Sequence, residues 1–177
     1  EADRIPLKWK DKVGENHIAS FYTAYDNGAV YTADEGGKLT KYDASSGKEL
    51  WQVKTKNQFS AGVGIGEGLI LIGTFKGELL AYNESGHMLW QASVTSEILS
   101  TPQVQNNIVV VRTVDGRIFG LDAIDGKRKW VYQGATPSLT VRSTAGITIA
   151  HGAVFAGFPG GKMVAMSLFN GNIGWEV

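Results

Sequence analysis

The chain has 177 residues, and its 17 basic and 17 acidic side chains leave a formal net charge of zero. No Lys/Arg cluster breaks that balance, which argues against a protein that binds nucleic acid by neutralising phosphates. The absence of cysteine removes disulfides, thiolate metal sites and thiol nucleophiles, and no apolar run approaches the ~18 residues of a membrane-crossing helix.

In chain order, the first element is Leu7-Lys-Trp-Lys10, an isolated apolar-aromatic strand with no neighbouring strands of its own. It is expected to act as a clasp over about 5–12. A first complete unit follows over about 15–55, with short strands expected at 18–25, 29–33, 38–42 and 49–54. The last two strands are joined by Asp43-Ala-Ser-Ser-Gly47. Asp can bond its own backbone there, and Gly supplies a positive φ. Units over about 56–94, 95–134 and 140–177 repeat the plan. Their turns are Asn83-Glu-Ser-Gly86, Asp122-Ala-Ile-Asp-Gly126 and Ser167-Leu-Phe-Asn-Gly171. The Asn83-Glu-Ser85 glycosylation sequon is thus part of a turn that recurs for geometric reasons. Leu69-Ile-Leu-Ile72 and Ile108-Val-Val-Val111 are continuous apolar runs, as expected of strands covered on both faces.

The five tryptophans, Trp9, Trp51, Trp90, Trp130 and Trp175, all occupy one position of this unit, at steps of 42, 39, 40 and 45 residues. Self-similarity at this period is the signature of a β-propeller built blade by blade. No segment has helical periodicity, so the expected class is all-β, with four-stranded blades and about four blades present. One indole per outer strand reads as packing that pins each blade to the next, rather than as a ligand-binding cage. Trp175 already supplies the final outer strand, so the clasp would be surplus in a four-bladed ring. The expectation is therefore a partial propeller with further blades beyond Val177. An open half-ring exposes a sheet face and unpaired edges, and would self-associate or need a partner.

No catalytic constellation emerges. His17, His87 and His151 fall in different units at turn-like positions without metal-ligand spacing. Gly62-Val-Gly-Ile-Gly66 opens no helix and lacks a following Lys-Ser/Thr, so it reads as a glycine-rich strand and turn. Asp26, Asp34, Asp43, Asp115, Asp122 and Asp125 are turn carboxylates. No catalytic residue, metal site or cofactor is expected. The one departure from the repeat is the last step, five residues longer than the one before. The surplus lies around Gln133-Gly-Ala-Thr-Pro-Ser-Leu-Thr-Val-Arg-Ser143, between one blade's outer strand and the next blade's inner strand. Such connections form one rim of a propeller, where binding surfaces are carried. Leu139, Val141 and Arg142 there make a compact anchor set of two aliphatic groups beside an arginine. Equally, Leu139 and Val141 could begin an inner strand and point into the core.

The repeat seen as Lys41-Tyr-Asp-Ala-Ser-Ser-Gly-Lys-Glu-Leu-Trp51 is similar to that of quinoprotein-like propellers. More narrowly, Asp125-Gly-Lys-Arg-Lys-Trp130 followed by Pro137-Ser-Leu-Thr-Val-Arg142 resembles the BamB family, lipoprotein subunits of the outer-membrane β-barrel assembly machinery. Phe21-Tyr22, Val30-Tyr-Thr-Ala-Asp34 and Trp51 fall where that family has comparable residues. The resemblance implies an eight-bladed propeller of which this chain is roughly the N-terminal half. It implies a periplasmic location, with tethering to the outer membrane through a lipidated cysteine upstream of Glu1. It further implies a non-catalytic scaffold whose Leu139, Val141 and Arg142 dock on a periplasmic POTRA domain of BamA, with Val141 where a leucine is usual. Unfolded outer-membrane protein strands adding to a blade edge are a further conceivable partner. The competing reading from the same superfamily is a fragment of a dehydrogenase using pyrroloquinoline quinone and Ca²⁺. It is disfavoured by the lack of cysteine and of convergent acidic residues on inner strands. A generic WD40-like module fits poorly, because the Gly-His and Trp-Asp pairs of that repeat are missing.

Overall fold

In the computed structural model, residues 7–134 and 146–177 are described, and among them every regular element is a strand. A two-residue strand, β1 (Ser20–Phe21), precedes four antiparallel sheets. The first blade contains β2 (Ala24–Asp26), β3 (Ala29–Ala33), β4 (Lys38–Asp43) and β5 (Glu49–Lys54). The second holds β6 (Phe59–Gly66), β7 (Leu69–Thr74), β8 (Glu78–Tyr82) and β9 (Met88–Ser93). The third holds β10 (Gln103–Gln105), β11 (Ile108–Arg112), β12 (Arg117–Asp122) and β13 (Arg128–Gln133), and the fourth β14 (Ile147–Ala150), β15 (Ala153–Gly157), β16 (Met163–Ser167) and β17 (Ile173–Glu176). Strands pair in sequence order within each blade, as the expected blade plan requires.

One expectation needs correcting. The single inner strand expected over 18–25 is two pieces: β2 is the inner strand of blade 1, but β1 leaves that blade. It pairs in parallel with β6 of blade 2, Ser20 opposite Ala61 and Phe21 opposite Gly62. A clasp strand was expected over about 5–12; residues 5–6 lie outside the described residues, and 7–12 carry no strand. A strand needs a ladder partner, and the described residues offer none there; what this segment shares with the outer strands is its indole.

The core lies between blades rather than within them, because a four-stranded sheet has two faces to cover and no helix to cover them. Ile70, Ile72, Leu80 and Tyr82 of blade 2 pack on Tyr31 and Leu39 of blade 1. The alternate residues Leu69, Leu71, Leu79 and Ala81 pack on Val109, Val111, Phe119 and Leu121 of blade 3. The other face of blade 3, with Val110 and Ile118, meets Val154, Val164 and Met166 of blade 4. This two-sided burial explains the unbroken apolar runs: all six residues of β7 and all five of β11 are buried. Burying each such aliphatic side chain contributes about 1.5–3 kcal/mol.

Candidate docking surface

Each blade is fastened to the next by one repeated contact. The indole Nε1 of Trp9 donates to the Ala44 carbonyl at 3.0 Å, that of Trp51 to Glu84 at 2.9 Å, that of Trp90 to Ala123 at 2.9 Å, and that of Trp130 to Leu168 at 2.7 Å. Each acceptor lies one residue into the turn of the following blade, just after Asp43, Asn83, Asp122 and Ser167. The turn glycine forms the floor of the socket. A Cβ at Gly126 would lie 2.6 Å from Trp90, and one at Gly171 2.7 Å from Trp130. These glycines also hold φ of +73° and +71°, so glycine is required twice over, for conformation and for space. In every blade the tryptophan adjoins a register shift between the third and fourth strands, at Lys41/Tyr42, Ala81/Tyr82, Gly120/Leu121 and Ala165/Met166. Such bulges re-aim a side chain out of the local pleat.

The series has two distinct ends. Trp9 stacks on Tyr42 at 5.9 Å and fills the socket of blade 1 as though it belonged to a preceding blade. Trp175 has no following turn among the described residues and is 45% exposed, against 8% for Trp90 and 7% for Trp130. With Phe155, whose ring lies 6.2 Å away, and Ile173 it lines an open apolar hollow on blade 4.

The turn acids do structural work. Asp43 Oδ1 accepts the Ser45 hydroxyl at 2.6 Å, the Ser46 hydroxyl at 2.7 Å and the Ser46 N–H at 2.8 Å. These donors, the Ser45 hydroxyl first, pull its pKa down to about 2. Asn83 Oδ1 accepts the N–H groups of Ser85 and His87 in the matching turn, and Asp122 accepts that of Ile124. His17, His87 and His151 are all exposed. Among the described residues no three His, Asp or Glu side chains gather as a metal site would require. Gly62, Gly64 and Gly66 lie in β6, a strand as expected, and no phosphate cradle.

The expected anchors Leu139, Val141 and Arg142 lie outside the described residues. The base from which their connection springs is well defined. β13 ends at Gln133 and β14 begins at Ile147. At that base Tyr132 and Phe158 pack with ring centroids 5.9 Å apart, and a Cβ on Gly134 would lie 2.5 Å from Phe158. Arg112, 3% exposed, lays its guanidinium over the Phe158 ring at 4.7 Å and donates through Nη1 to the Gly157 carbonyl at 2.6 Å. Burial lowers its pKa. Sequence reasoning missed this arginine because it closes an apolar run, Ile108-Val-Val-Val111, with nothing local to mark it as an interblade tie.

Also missed was Glu35. Its Oε2 accepts the backbone N–H groups of His17, Ile18 and Ala19 at 2.9, 3.0 and 3.2 Å, and its own N–H donates to Asn16 Oδ1 at 2.9 Å. Hydrogen bonds from Ile18 and then His17 lower its pKa. The residue lies in an Asp-Glu-Gly-Gly turn, and its sequence signal is that of any solvent-facing turn acid.

A family model described as outer membrane protein assembly factor BamB matches residues 7–60 and 35–177. A curated relative of that description from Nitrosomonas eutropha is 56% identical over 168 residues, 95% of this chain and 41% of its own length. One from Burkholderia pseudomallei is 39% identical over 169 residues, 95% of this chain and 44% of its own length. The crystal structure of BamB from Moraxella catarrhalis superposes with a TM-score of 0.82 at 26% identity, over 88% of this chain and 48% of that one. The computationally designed Ika8 protein shares the fold alone, with a TM-score of 0.74 at 16% identity. The chain thus spans a little under half the length of these relatives. With a family model matching nearly its whole length, the chain belongs to the family of the outer membrane protein assembly factor BamB.

Proposed function

We propose that this chain is part of a non-catalytic scaffold that assists the assembly of β-barrel proteins into the outer membrane. It works in the periplasm, held near the membrane by a lipid anchor upstream of Glu1, and completes an eight-bladed ring with the rest of the protein. Residues 7–12 contribute the clasp of that ring. Its partner is the POTRA region of BamA. Leu139 and Val141 supply apolar contact there, and Arg142 a charge-assisted hydrogen-bonding fork.

The observation that carries this reading is the family membership along almost the whole chain. Two features support the assignment of the contact. The connection between blades 3 and 4 is the longest of the repeat, with a Trp-to-Trp step of 45 residues against 39–42 elsewhere. Its base is packed by Tyr132, Phe158 and Arg112, and a pre-organised base lowers the freedom lost on binding. Interface energy concentrates in a few such residues. In calorimetric titration of BamA POTRA domains into the chain, Leu139→Ala/Arg142→Ala is expected to weaken binding at least tenfold while thermal unfolding stays unchanged. Undiminished binding by the double variant would remove these residues from the interface.

A further inference from the structure

Among the described residues, blade 2 differs from the other three in having a fifth strand, β1, on its inner edge. The added ladder is only two residue pairs long, extended by the Tyr22 N–H donating to Gly62 O at 3.1 Å and the Val63 N–H donating to Tyr22 O at 3.2 Å. Among the described residues no strand continues it along 64–66 of β6. Upstream, the segment that makes it is tethered at Glu35, whose carboxylate takes the His17, Ile18 and Ala19 N–H groups and whose own N–H donates to Asn16 Oδ1. Of its large side chains, Phe21 is partly buried against the core between blades 1 and 2, whereas Ile18 and Tyr22 are 61% and 69% exposed and add little burial. Beside it opens a cavity of about 240 Å³, walled by Ile18, Ala19 and Tyr22 on the segment's side and by Ser60, Ser100, Thr101, Gln103 and Ile147 of blades 2, 3 and 4. Among the described residues that line it, none carries a charge. Ser100, 7% exposed, has a buried hydroxyl with no hydrogen-bond partner, which is an unmet demand of the kind a ligand's amide can satisfy.

We propose that the inner edge of β6, together with this cavity, is a binding site for an uncharged extended peptide segment, which displaces the chain's own 18–22 segment. The occupant's chemistry is read from what is seated there now. Ile18-Ala-Ser-Phe-Tyr22 is uncharged, its backbone makes the edge hydrogen bonds, and the described residues of the adjoining walls are neutral hydroxyl, amide and aliphatic groups. A charged segment would have to be desolvated against described walls that offer no counter-charge. Strand addition of this kind takes affinity from main-chain hydrogen bonds and selectivity from the side-chain pockets beside them. The site is remote in sequence from the 139–142 contact and does not depend on it.

The probe is a fluorescein-labelled, end-blocked peptide of this chain's residues 16–23, titrated by anisotropy into the full chain and into Glu35→Ala. Releasing the tether raises the fraction of molecules with a vacant edge, and apparent affinity rises in proportion. Binding at least tenfold tighter to the variant is expected, with Glu35→Gln intermediate. A peptide with Asp in place of Ile18 and Glu in place of Phe21 is expected not to bind. Hydrogen exchange at the Val63 amide should quicken in Glu35→Ala and slow again with the peptide, while β7 and β8 stay protected. Should Glu35→Ala lose protection throughout β7 and β8, Asn16→Ala, which loosens the same tether from outside the blade, takes its place with the same expectations. Equal affinity for wild-type and loosened chains, no binding to either, or peptide protection away from Val63 would overturn the proposal.

Discussion

At Asp43 a single side chain organises a turn by accepting two hydroxyls and two backbone N–H groups, and its depressed pKa records that service. The sign follows from linkage. A carboxyl ordinarily near 3.8 and held at about 2 in the fold stabilises the folded state fully above its ordinary value, and that contribution is lost as pH falls toward 2. Asp43→Asn keeps the acceptor oxygen, as Asn83 does in blade 2, but discards the charge. Its melting temperature is therefore expected below wild type at pH 6, with the gap closing as pH falls from 4 to 2. A gap that persisted at pH 2 would show that the charge is not the cause. Residues of this kind were legible in the sequence because Asp, Asn and Gly have local conformational chemistry that acts wherever they stand. Glu35 was not, since its partners are backbone groups 16 to 18 residues away that no local pattern discloses.

The unit that matters at the level of elements is an outer-strand tryptophan, the bulge beside it, and the glycine and carbonyl of the next blade's turn. Trp130 is expected to be costly to remove. Trp130→Ala leaves a cavity worth about 3–5 kcal/mol, and Trp130→Phe strands the Leu168 carbonyl at about 1–3 kcal/mol. Trp175→Ala, at a half-exposed ring with no following turn among the described residues, should cost less than about 1 kcal/mol. Urea unfolding of the three variants checks the order, and a Trp175→Ala penalty equal to that of Trp130→Ala would refute the socket reading. The role of the indoles was legible from their period alone, whereas the acceptor carbonyls were not, because any residue type can supply one. The segment 18–25 was misread for a related reason. Its uncharged, aromatic-rich sequence specifies extended backbone but not which sheet edge receives it, and the chain crosses from blade 2 to blade 1 between Phe21 and Ala24.

Across the described residues the blades form a series of three mixed aliphatic and aromatic seams, with Trp9 in the socket of blade 1 and Phe155, Ile173 and Trp175 lining a hollow on blade 4. Such a series follows almost entirely from the repeat, since alternate residues of each middle strand must face opposite neighbours. The proposed docking contact does not follow from it: Leu139, Val141 and Arg142 are proposed from resemblance and from the length of one connection, with no repeat partner to interpret them. The most direct measurement of that contact is photo-crosslinking to BamA, with a benzoyl-phenylalanine placed at position 139 in one variant and at position 89 on the outer edge of blade 2 in another. An adduct with the POTRA region from position 139 and none from 89 is the expected result; adducts from 89 alone would contradict it.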